Sequence, residues 1–155
     1  MKTISRTLCA MAAAAASLLV APSAMAAECA VTVESNDAMQ FNLKSLEVPK
    51  SCKSYEITLK HVGKLPKTAM GHNLVISQTA DMAAVAKDGI GAGVAKDYLK
   101  TGDSRVLAHT ALIGGGESST VKLDVSQLKA AESYSFFCSF PGHSSIMKGS
   151  LKLGT

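Results

Sequence analysis

Apolar side chains alternate with polar ones along three stretches of this chain, and no other feature of the sequence constrains its fold as strongly. The alternation runs through residues 54–61, 120–125 and 147–153. Successive side chains of an extended strand point to opposite faces, so a period of two is typical of a strand with one face in the core and one in solvent. The chain is therefore predicted to be all-β.

Five further segments have the length and the β-branched or aromatic content of strands. They are 30–34, 41–46, 73–77, 106–110 and 133–138. The glycine run 114–116 indicates a turn between two of them. A succession of short strands joined by turns predicts a sandwich or a barrel.

One segment, residues 79–99, departs from this pattern because it is rich in alanine. We predict a short helix over 82–87, capped at its start by Thr79 or Asp81 and ended by Gly89. Helical sequence inside a β-rich chain is expected to form a flap between two strands. No internal repeat or linker is visible in the sequence, which favours one domain.

Residues 1–26 have the three parts of a secretory signal: a basic start with Lys2 and Arg6, an apolar run, and a small-residue cleavage motif at 24–26. The apolar run is too short for a comfortable transmembrane helix, which needs about 20 residues. We expect the signal to be cleaved and the protein to be exported to the periplasm. The mature protein is then expected to be a single domain over 27–155 that is not held by a membrane segment. A retained membrane anchor is the alternative.

The charge of the chain excludes several classes of partner. Without Lys2 and Arg6, the mature chain keeps 14 basic residues against 12 acidic ones, a net charge of +2, and Arg105 is its only arginine. The lysines are scattered, so surfaces that bind nucleic acid or other polyanions are not expected. The charge pattern also excludes a coiled coil and a disordered tail.

Three cysteines remain after Cys9 leaves with the signal. Cys29 and Cys52 flank a 22-residue segment near the mature start, and exported proteins meet an oxidising compartment. We predict a disulfide between them, which loop-closure entropy makes worth about 3 kcal/mol. The odd number then leaves Cys138 outside a disulfide. Lipidation of Cys29 is disfavoured because Glu28, which precedes it, is not a small residue.

The residues with the most distinctive chemistry lie near the C-terminus, where a thiol, an imidazole and a thioether fall within ten residues. A Pro-Gly pair lies between Cys138 and His143, directly before the histidine. The tight turn that this pair predicts brings the two side chains towards each other. Met147 follows, and His72 lies far upstream at the start of a predicted strand. Two histidines, one cysteine thiolate and a weakly bound methionine are the ligand set of a blue-copper electron-transfer site.

The wider sequence resembles the cupredoxin family of type 1 blue-copper proteins. The resemblance rests on the early cysteine pair, Met-Gly-His-Asn at 70–73, Asp-Tyr-Leu at 97–99, Gly-Gly-Glu at 115–117 and the Cys-x4-His-x3-Met motif at 138–147. It covers the whole mature chain. It implies an eight-stranded Greek-key β-sandwich with one copper ion near one end.

The same resemblance assigns a role to each candidate ligand. It makes His72, Cys138 and His143 the equatorial ligands of the copper. It makes Met147 a long axial contact, with the backbone carbonyl of Gly71 on the opposite side.

Neighbouring residues receive roles from the resemblance as well. Asn73 is expected to tie the two ligand loops together. The backbone N–H groups of Asn73 and Phe140 are expected to point at the cysteine sulfur, where such donors tune the reduction potential. The other two histidines have plainer interpretations: His61 shares the apolar face of its strand and is predicted to be buried and structural, whereas His109 is predicted to be exposed.

These features favour a monomeric periplasmic electron carrier, not an enzyme, that passes single electrons by cycling between Cu(I) and Cu(II). Its expected partners are redox proteins such as c-type cytochromes or reductases, which dock briefly and bury little area. The electron is expected to leave through an exposed edge of His143. The resemblance places an apolar rim around that edge, formed by Met39, Leu65, Ala69, Met70, Ile90, Phe140, Pro141, Gly142 and Ile146.

Two other classes of function stay open. Copper delivery or storage uses exposed, exchangeable sites, whereas the ligands here are divided between distant segments. A thiol enzyme with Cys138 as nucleophile and His143 as base leaves His72 and Met147 without a role, and the sequence indicates no substrate cleft.

Overall fold

A computed structural model of the chain describes residues 28–154, and in this range two β-sheets pack face to face. The strands are β1 (Ala30–Asn36), β2 (Gln40–Phe41), β3 (Ser45–Val48), β4 (Ser54–His61), β5 (Val75–Gln78), β6 (Val106–His109), β7 (Ser118–Asp124), β8 (Tyr134–Phe137) and β9 (Lys148–Leu153). Two α-helices, α1 (Lys67–Met70) and α2 (Met82–Gly89), lie on either side of β5 in the sequence. The sequence analysis did not predict α1.

The four-stranded sheet has the order β2-β1-β4-β7, and the five-stranded sheet has the order β3-β9-β8-β5-β6. Two neighbouring pairs, β1 with β4 and β3 with β9, are parallel, and the other pairs are antiparallel. The chain crosses repeatedly from one sheet to the other. This arrangement is the β-sandwich that the alternating sequence predicts.

The strand predicted over 41–46 is two strands, so the described residues hold nine strands where eight were expected. The break occurs because the chain changes sheets here: β2 pairs with β1, whereas β3 pairs with β9. Asn42, at the crossing, accepts the Glu34 N–H through its side-chain oxygen at 2.8 Å and so replaces a regular ladder bond.

Side chains from the inner faces of both sheets form the main core. Along β4, Tyr55, Ile57 and Leu59 are buried, as the alternation predicts. Phe41 and Phe136 meet across the core with ring centroids 5.5 Å apart. Burying one such side chain stabilises the fold by roughly 1.5–3 kcal/mol, and a one-residue slip would expose a whole strand face. The core therefore fixes the strand register.

A second, smaller core lies between α2 and the outer face of the five-stranded sheet. Val85 of α2 packs there with Val75 and Phe137. Because β8 is covered on both faces, all four of its residues are buried and it lacks the alternation of β4. The predicted flap is thus a packed layer on this sheet.

The boundaries of α2 differ in part from the prediction. Asp81, one of the two predicted caps, is the N-cap residue, but its side chain makes no capping hydrogen bond. Gly89 is the last residue of the helix, as expected. A Cβ at Gly89 would overlap the backbone carbonyl of Tyr98, so glycine permits the close approach of the helix and the following loop.

Cys29 and Cys52 form the predicted disulfide, with their Cα atoms 5.7 Å apart, and Cys138 is free and buried. The disulfide joins the segments that precede β1 and β4. The predicted signal at 1–26 lies outside the described residues. Within 28–154, no helix is both long and apolar enough to cross a bilayer.

Candidate metal centre

Two segments bring the predicted equatorial ligands together at the end of the sandwich remote from the disulfide: one holds His72, and the other holds Cys138 and His143. His72 follows α1 and exchanges two backbone hydrogen bonds with Ile113, at 3.0 and 2.8 Å. Cys138 directly follows β8, and His143 begins a single 3-10 turn, His143–Ser145. Residues far apart in sequence therefore meet because each one ends or follows a rigid element.

The three ligand atoms have the spacing of a metal site. The Cys138 Sγ lies 3.9 Å from His72 Nδ1 and 3.6 Å from His143 Nδ1, and all three atoms lie within 4.8 Å of one another. Metal–sulfur and metal–nitrogen bonds of about 2.3 and 2.0 Å, arranged trigonally, place sulfur and nitrogen about 3.7 Å apart. The residues present therefore fit a small metal ion, and a thiolate with two imidazoles suits copper.

Burial keeps these ligands uncharged at neutral pH in the metal-free protein. His72 and Cys138 are fully buried, and His143 is 4% exposed. Burial raises the pKa of the Cys138 thiol to about 11, although backbone N–H groups of Asn73 and Phe140 bond to its sulfur and oppose the rise. Burial lowers the pKa of His72 to about 4 and also lowers the pKa of His143. Metal binding must then displace the thiol proton.

The orientation of His72 is set by a residue that the sequence analysis did not identify. His72 Nε2 lies 2.9 Å from the backbone carbonyl of Asn36. A carbonyl only accepts, so Nε2 carries the proton and Nδ1 keeps its lone pair towards the site. No sequence signal marks Asn36, because the group involved is its backbone.

His61 is buried and structural, as predicted. Its ring stacks on that of His72 with centroids 4.5 Å apart. Its Nδ1 accepts the Gly63 N–H at 3.0 Å, and its Nε2 donates to the Met70 carbonyl at 3.0 Å. Both ring nitrogens are therefore occupied and point away from the ligand atoms. His109 is exposed, also as predicted.

Gly71 and Met147 both lie beside the ligands. The Gly71 carbonyl is 3.8 Å from the Cys138 sulfur. Met147 is fully buried, and its backbone donates to the His143 carbonyl at 2.8 Å and accepts from the Cys138 N–H at 3.0 Å. These bonds place Met147 within the loop that carries two of the ligands.

The residues of the predicted apolar rim differ in their exposure to solvent. The largest exposed side chains among the predicted rim residues are Leu65, Ile90 and Ile146, which are 41, 52 and 55% exposed. Phe140 is half-buried and packs on the His143 ring, with centroids 4.5 Å apart. The remaining rim residues are half-buried or exposed: Met39, Ala69, Met70, Pro141 and Gly142. His143 itself presents only a narrow edge.

The shifted ionisation of the ligands predicts a pH window for the stability of the copper-free protein. The His72 pKa is about 4 in the folded protein and 6.5 ordinarily. Its contribution to the free energy of unfolding is therefore complete above pH 6.5 and is lost as pH falls towards 4. The Cys138 pKa is about 11 in the folded protein and 9 ordinarily. Its contribution to the free energy of unfolding is therefore complete below pH 9 and is lost as pH rises towards 11. Each loss is at most about 3 kcal/mol.

Denaturant unfolding of the copper-free protein from pH 4 to 11 checks this window. Cys138→Ser should flatten the alkaline limb and leave the acid limb in place. A wild-type stability that continues to rise above pH 9 would contradict the prediction.

A buried site of one thiol and two imidazoles at one end of a β-sandwich defines a class: a small blue-copper protein. Comparison with known families agrees. The profile of the family described as "Copper binding proteins, plastocyanin/azurin family" matches residues 27–154. The chain belongs to this family.

Individual relatives place the chain close to the azurins. It is 62% identical over 129 residues to Azurin-2 of Alcaligenes xylosoxydans xylosoxydans, covering 83% of this chain and all of the relative. It is 61% identical over 127 residues to the azurin of Alcaligenes faecalis, covering 82% and 99% of the two chains. The solved structure of an azurin (Az-iso2) from Methylomonas sp. strain J superposes with a TM-score of 0.81 at 46% identity, covering 83% of this chain and all of that one.

These matches confirm the predicted resemblance, the cupredoxin-like β-sandwich and one type 1 copper ion as the cofactor. Azurins are electron carriers, so the protein is a blue-copper electron-transfer protein and not an enzyme.

Proposed function

We propose that the protein is a periplasmic carrier that shuttles single electrons between redox partners. In this proposal His72, Cys138 and His143 would hold the copper, and the Met147 thioether and the Gly71 carbonyl would add weaker axial contacts. The observation that carries the proposal is the buried group of one thiol and two imidazoles beneath an apolar rim. When bound, copper supplies the one-electron couple between Cu(I) and Cu(II).

The protein itself holds the ligands in position, which supports a carrier function. His72 is held by Asn36 and Ile113, while Cys138 and His143 are each bonded to the backbone of Met147. None of these hydrogen bonds involves a metal. The ligands therefore keep their positions in both oxidation states, and little rearrangement opposes electron transfer.

The apolar rim supports brief docking of partners. Leu65, Ile90 and Ile146 are exposed apolar side chains on separate segments, and in this proposal they surround the His143 edge. A small apolar surface favours weak encounters of low buried area. The partners we propose are periplasmic redox proteins such as c-type cytochromes or reductases, with the carrier acting as a monomer. The electron crosses at the His143 edge.

Two features support a periplasmic location. Residues 1–26 have the layout of a secretory signal, and we propose that cleavage leaves one mature domain over 27–155. The Cys29–Cys52 disulfide requires an oxidising compartment, which the periplasm provides.

Copper titration followed by redox cycling tests the proposal. Cu(II) added to the mature protein should give an intense blue colour at one equivalent, which a mild reductant bleaches and an oxidant restores over many cycles without loss of copper. A copper-delivery protein would instead transfer its metal to a copper-free acceptor. Rapid transfer to such an acceptor, or a colourless copper complex, would contradict the carrier function.

The axial role of Met147 predicts a change of potential without a change of colour. In Met147→Leu, leucine keeps the buried apolar volume but withdraws the sulfur, which leaves Cu(II) less stabilised relative to Cu(I). The reduction potential should rise by about 60 mV for every 1.4 kcal/mol of Cu(II) stabilisation that is lost. Voltammetry of the two proteins measures the shift.

Met82→Leu is the matched control, because Met82 is a half-buried residue of α2 that packs against the smaller core and is not one of the candidate ligands. Its potential should equal that of the wild type. An unchanged or lower potential in Met147→Leu counts against the axial role.

A further inference from the structure

A hydrogen-bond network beside the ligands joins the two ligand segments to the flap, and Asp97 lies at its centre. Asp97 lies between α2 and β6 and has φ 53° and ψ 26°. These angles lie in the left-handed region, which most side chains avoid and which aspartate and asparagine tolerate better. In this conformation both the carbonyl and the carboxylate of Asp97 accept hydrogen bonds from other segments.

The carbonyl of Asp97 completes a closed set of bonds between the two ligand segments. It accepts from Asn73 Nδ2 at 2.8 Å and from Ser139 Oγ at 2.9 Å. Asn73 Oδ1 in turn accepts the Ser139 N–H at 2.9 Å. Asn73 follows His72 and Ser139 follows Cys138, and both are buried. The side-chain bonds of this network therefore span both ligand segments, and none of these bonds uses a ligand atom.

The carboxylate of Asp97 bonds to a further segment, the one that contains Leu112. It accepts the Leu112 N–H at 2.9 Å. Leu112 precedes Ile113, which exchanges two backbone hydrogen bonds with His72. The Leu112 side chain also packs on Gly71, where an added Cβ would lie 3.1 Å from Leu112 Cδ2. Displacing Leu112 would thus disturb Gly71 and His72, whose carbonyl oxygen and Nδ1 lie 3.8 and 3.9 Å from the Cys138 sulfur.

We propose that Asp97 is a positioning residue for the copper site, whose carboxylate holds the His72 segment in register with the Cys138 segment. Leu112 is 2% exposed, so water cannot replace the carboxylate unless the loop moves. The inference rests on the copper site of the proposed function and adds to it a residue from the flap.

Two substitutions separate the hydrogen bond from the backbone conformation and from the charge. Asp97→Asn keeps an acceptor oxygen and tolerates the left-handed region, but removes the charge. Asp97→Gly also tolerates positive φ, but it has no acceptor. Asp97→Asn should bind Cu(II) with wild-type affinity, potential and colour. Asp97→Gly should lose about 10–100-fold in affinity, as loss of an outer hydrogen-bond partner does, with a shifted potential and charge-transfer band.

A readout on the copper-free protein accompanies these measurements. Exchange of the Leu112 amide hydrogen should be faster in Asp97→Gly and unchanged in Asp97→Asn. Asp124→Gly is the matched control, because Asp124 also accepts a backbone N–H, that of Ser126 at 2.9 Å, at the far end of the sandwich. Its copper affinity and potential should equal those of the wild type even where its stability falls.

Wild-type affinity and potential in a folded Asp97→Gly would overturn the inference, as would an Asp97→Asn variant impaired as strongly as the glycine variant. If Asp97→Gly does not fold, Asp97→Ser takes its place, because its shorter side chain offers the Leu112 N–H a weaker acceptor. Unchanged copper affinity and potential in Asp97→Ser, together with faster exchange of the Leu112 amide, overturn the inference too. A wild-type protein without blue colour would instead refute the proposed function, so the two failures are distinguishable.

Discussion

Cys138→Ser should abolish the blue colour of the copper-loaded protein. The colour requires charge transfer from a thiolate to Cu(II), and Cys138 supplies the only free thiol in residues 28–154. Serine keeps the size of the side chain but offers a hydroxyl that stays protonated at neutral pH. Copper affinity should fall by more than the roughly 10–100-fold that loss of an outer hydrogen-bond partner costs. Optical titration with Cu(II) measures both effects.

The double variant Cys29→Ser, Cys52→Ser is the control for the other two sulfur atoms. It should lose about 3 kcal/mol of stability with the disulfide and keep the full blue colour. An intense blue Cys138→Ser protein, or a colourless double variant that is folded, would show that the thiolate ligand has been assigned to the wrong residue.

Met70→Lys should leave the copper spectrum and potential close to wild type yet slow electron self-exchange by about 10–100-fold at low salt. Two identical molecules are expected to meet through their apolar rims, and the half-buried Met70 belongs to the rim that we propose. Each rim would then carry an added positive charge, so every productive encounter pairs like charges and must desolvate them. The defect should shrink as ionic strength rises, because salt screens exposed charges.

Line broadening of the ligand signals in mixed Cu(I) and Cu(II) samples measures this exchange. Ala130→Lys is the matched control: Ala130 is exposed in the loop between β7 and β8, at the far end of the sandwich, so it adds the same charge away from the rim. The control should exchange at the wild-type rate. A blue, folded Met70→Lys whose electron self-exchange is as fast as that of the control would show that the docking surface lies elsewhere.

Local patterns were enough to predict the strands and the principal ligands. The alternation over 54–61 predicts β4 because a strand with one covered face must repeat every two residues. Cys138, His143 and Met147 lie within ten residues, so their spacing alone indicates a shared site. His72 is harder to predict as a ligand, because only its neighbours and the family resemblance link it to Cys138, which lies 66 residues away.

Tertiary structure alone decided the features that depend on contacts between distant segments. The segment 41–46 divides because its two halves pair in different sheets, and β8 loses its alternation because α2 covers its outer face. The support of His72 by Asn36 spans 36 residues and uses a backbone carbonyl, which every residue type possesses. Asp97 reaches Leu112 only because a left-handed turn directs it there. Sequence alone determined which side chains supply the chemistry, whereas folding decided which backbone groups hold them, because side chains differ from residue to residue and backbone groups are nearly the same in all.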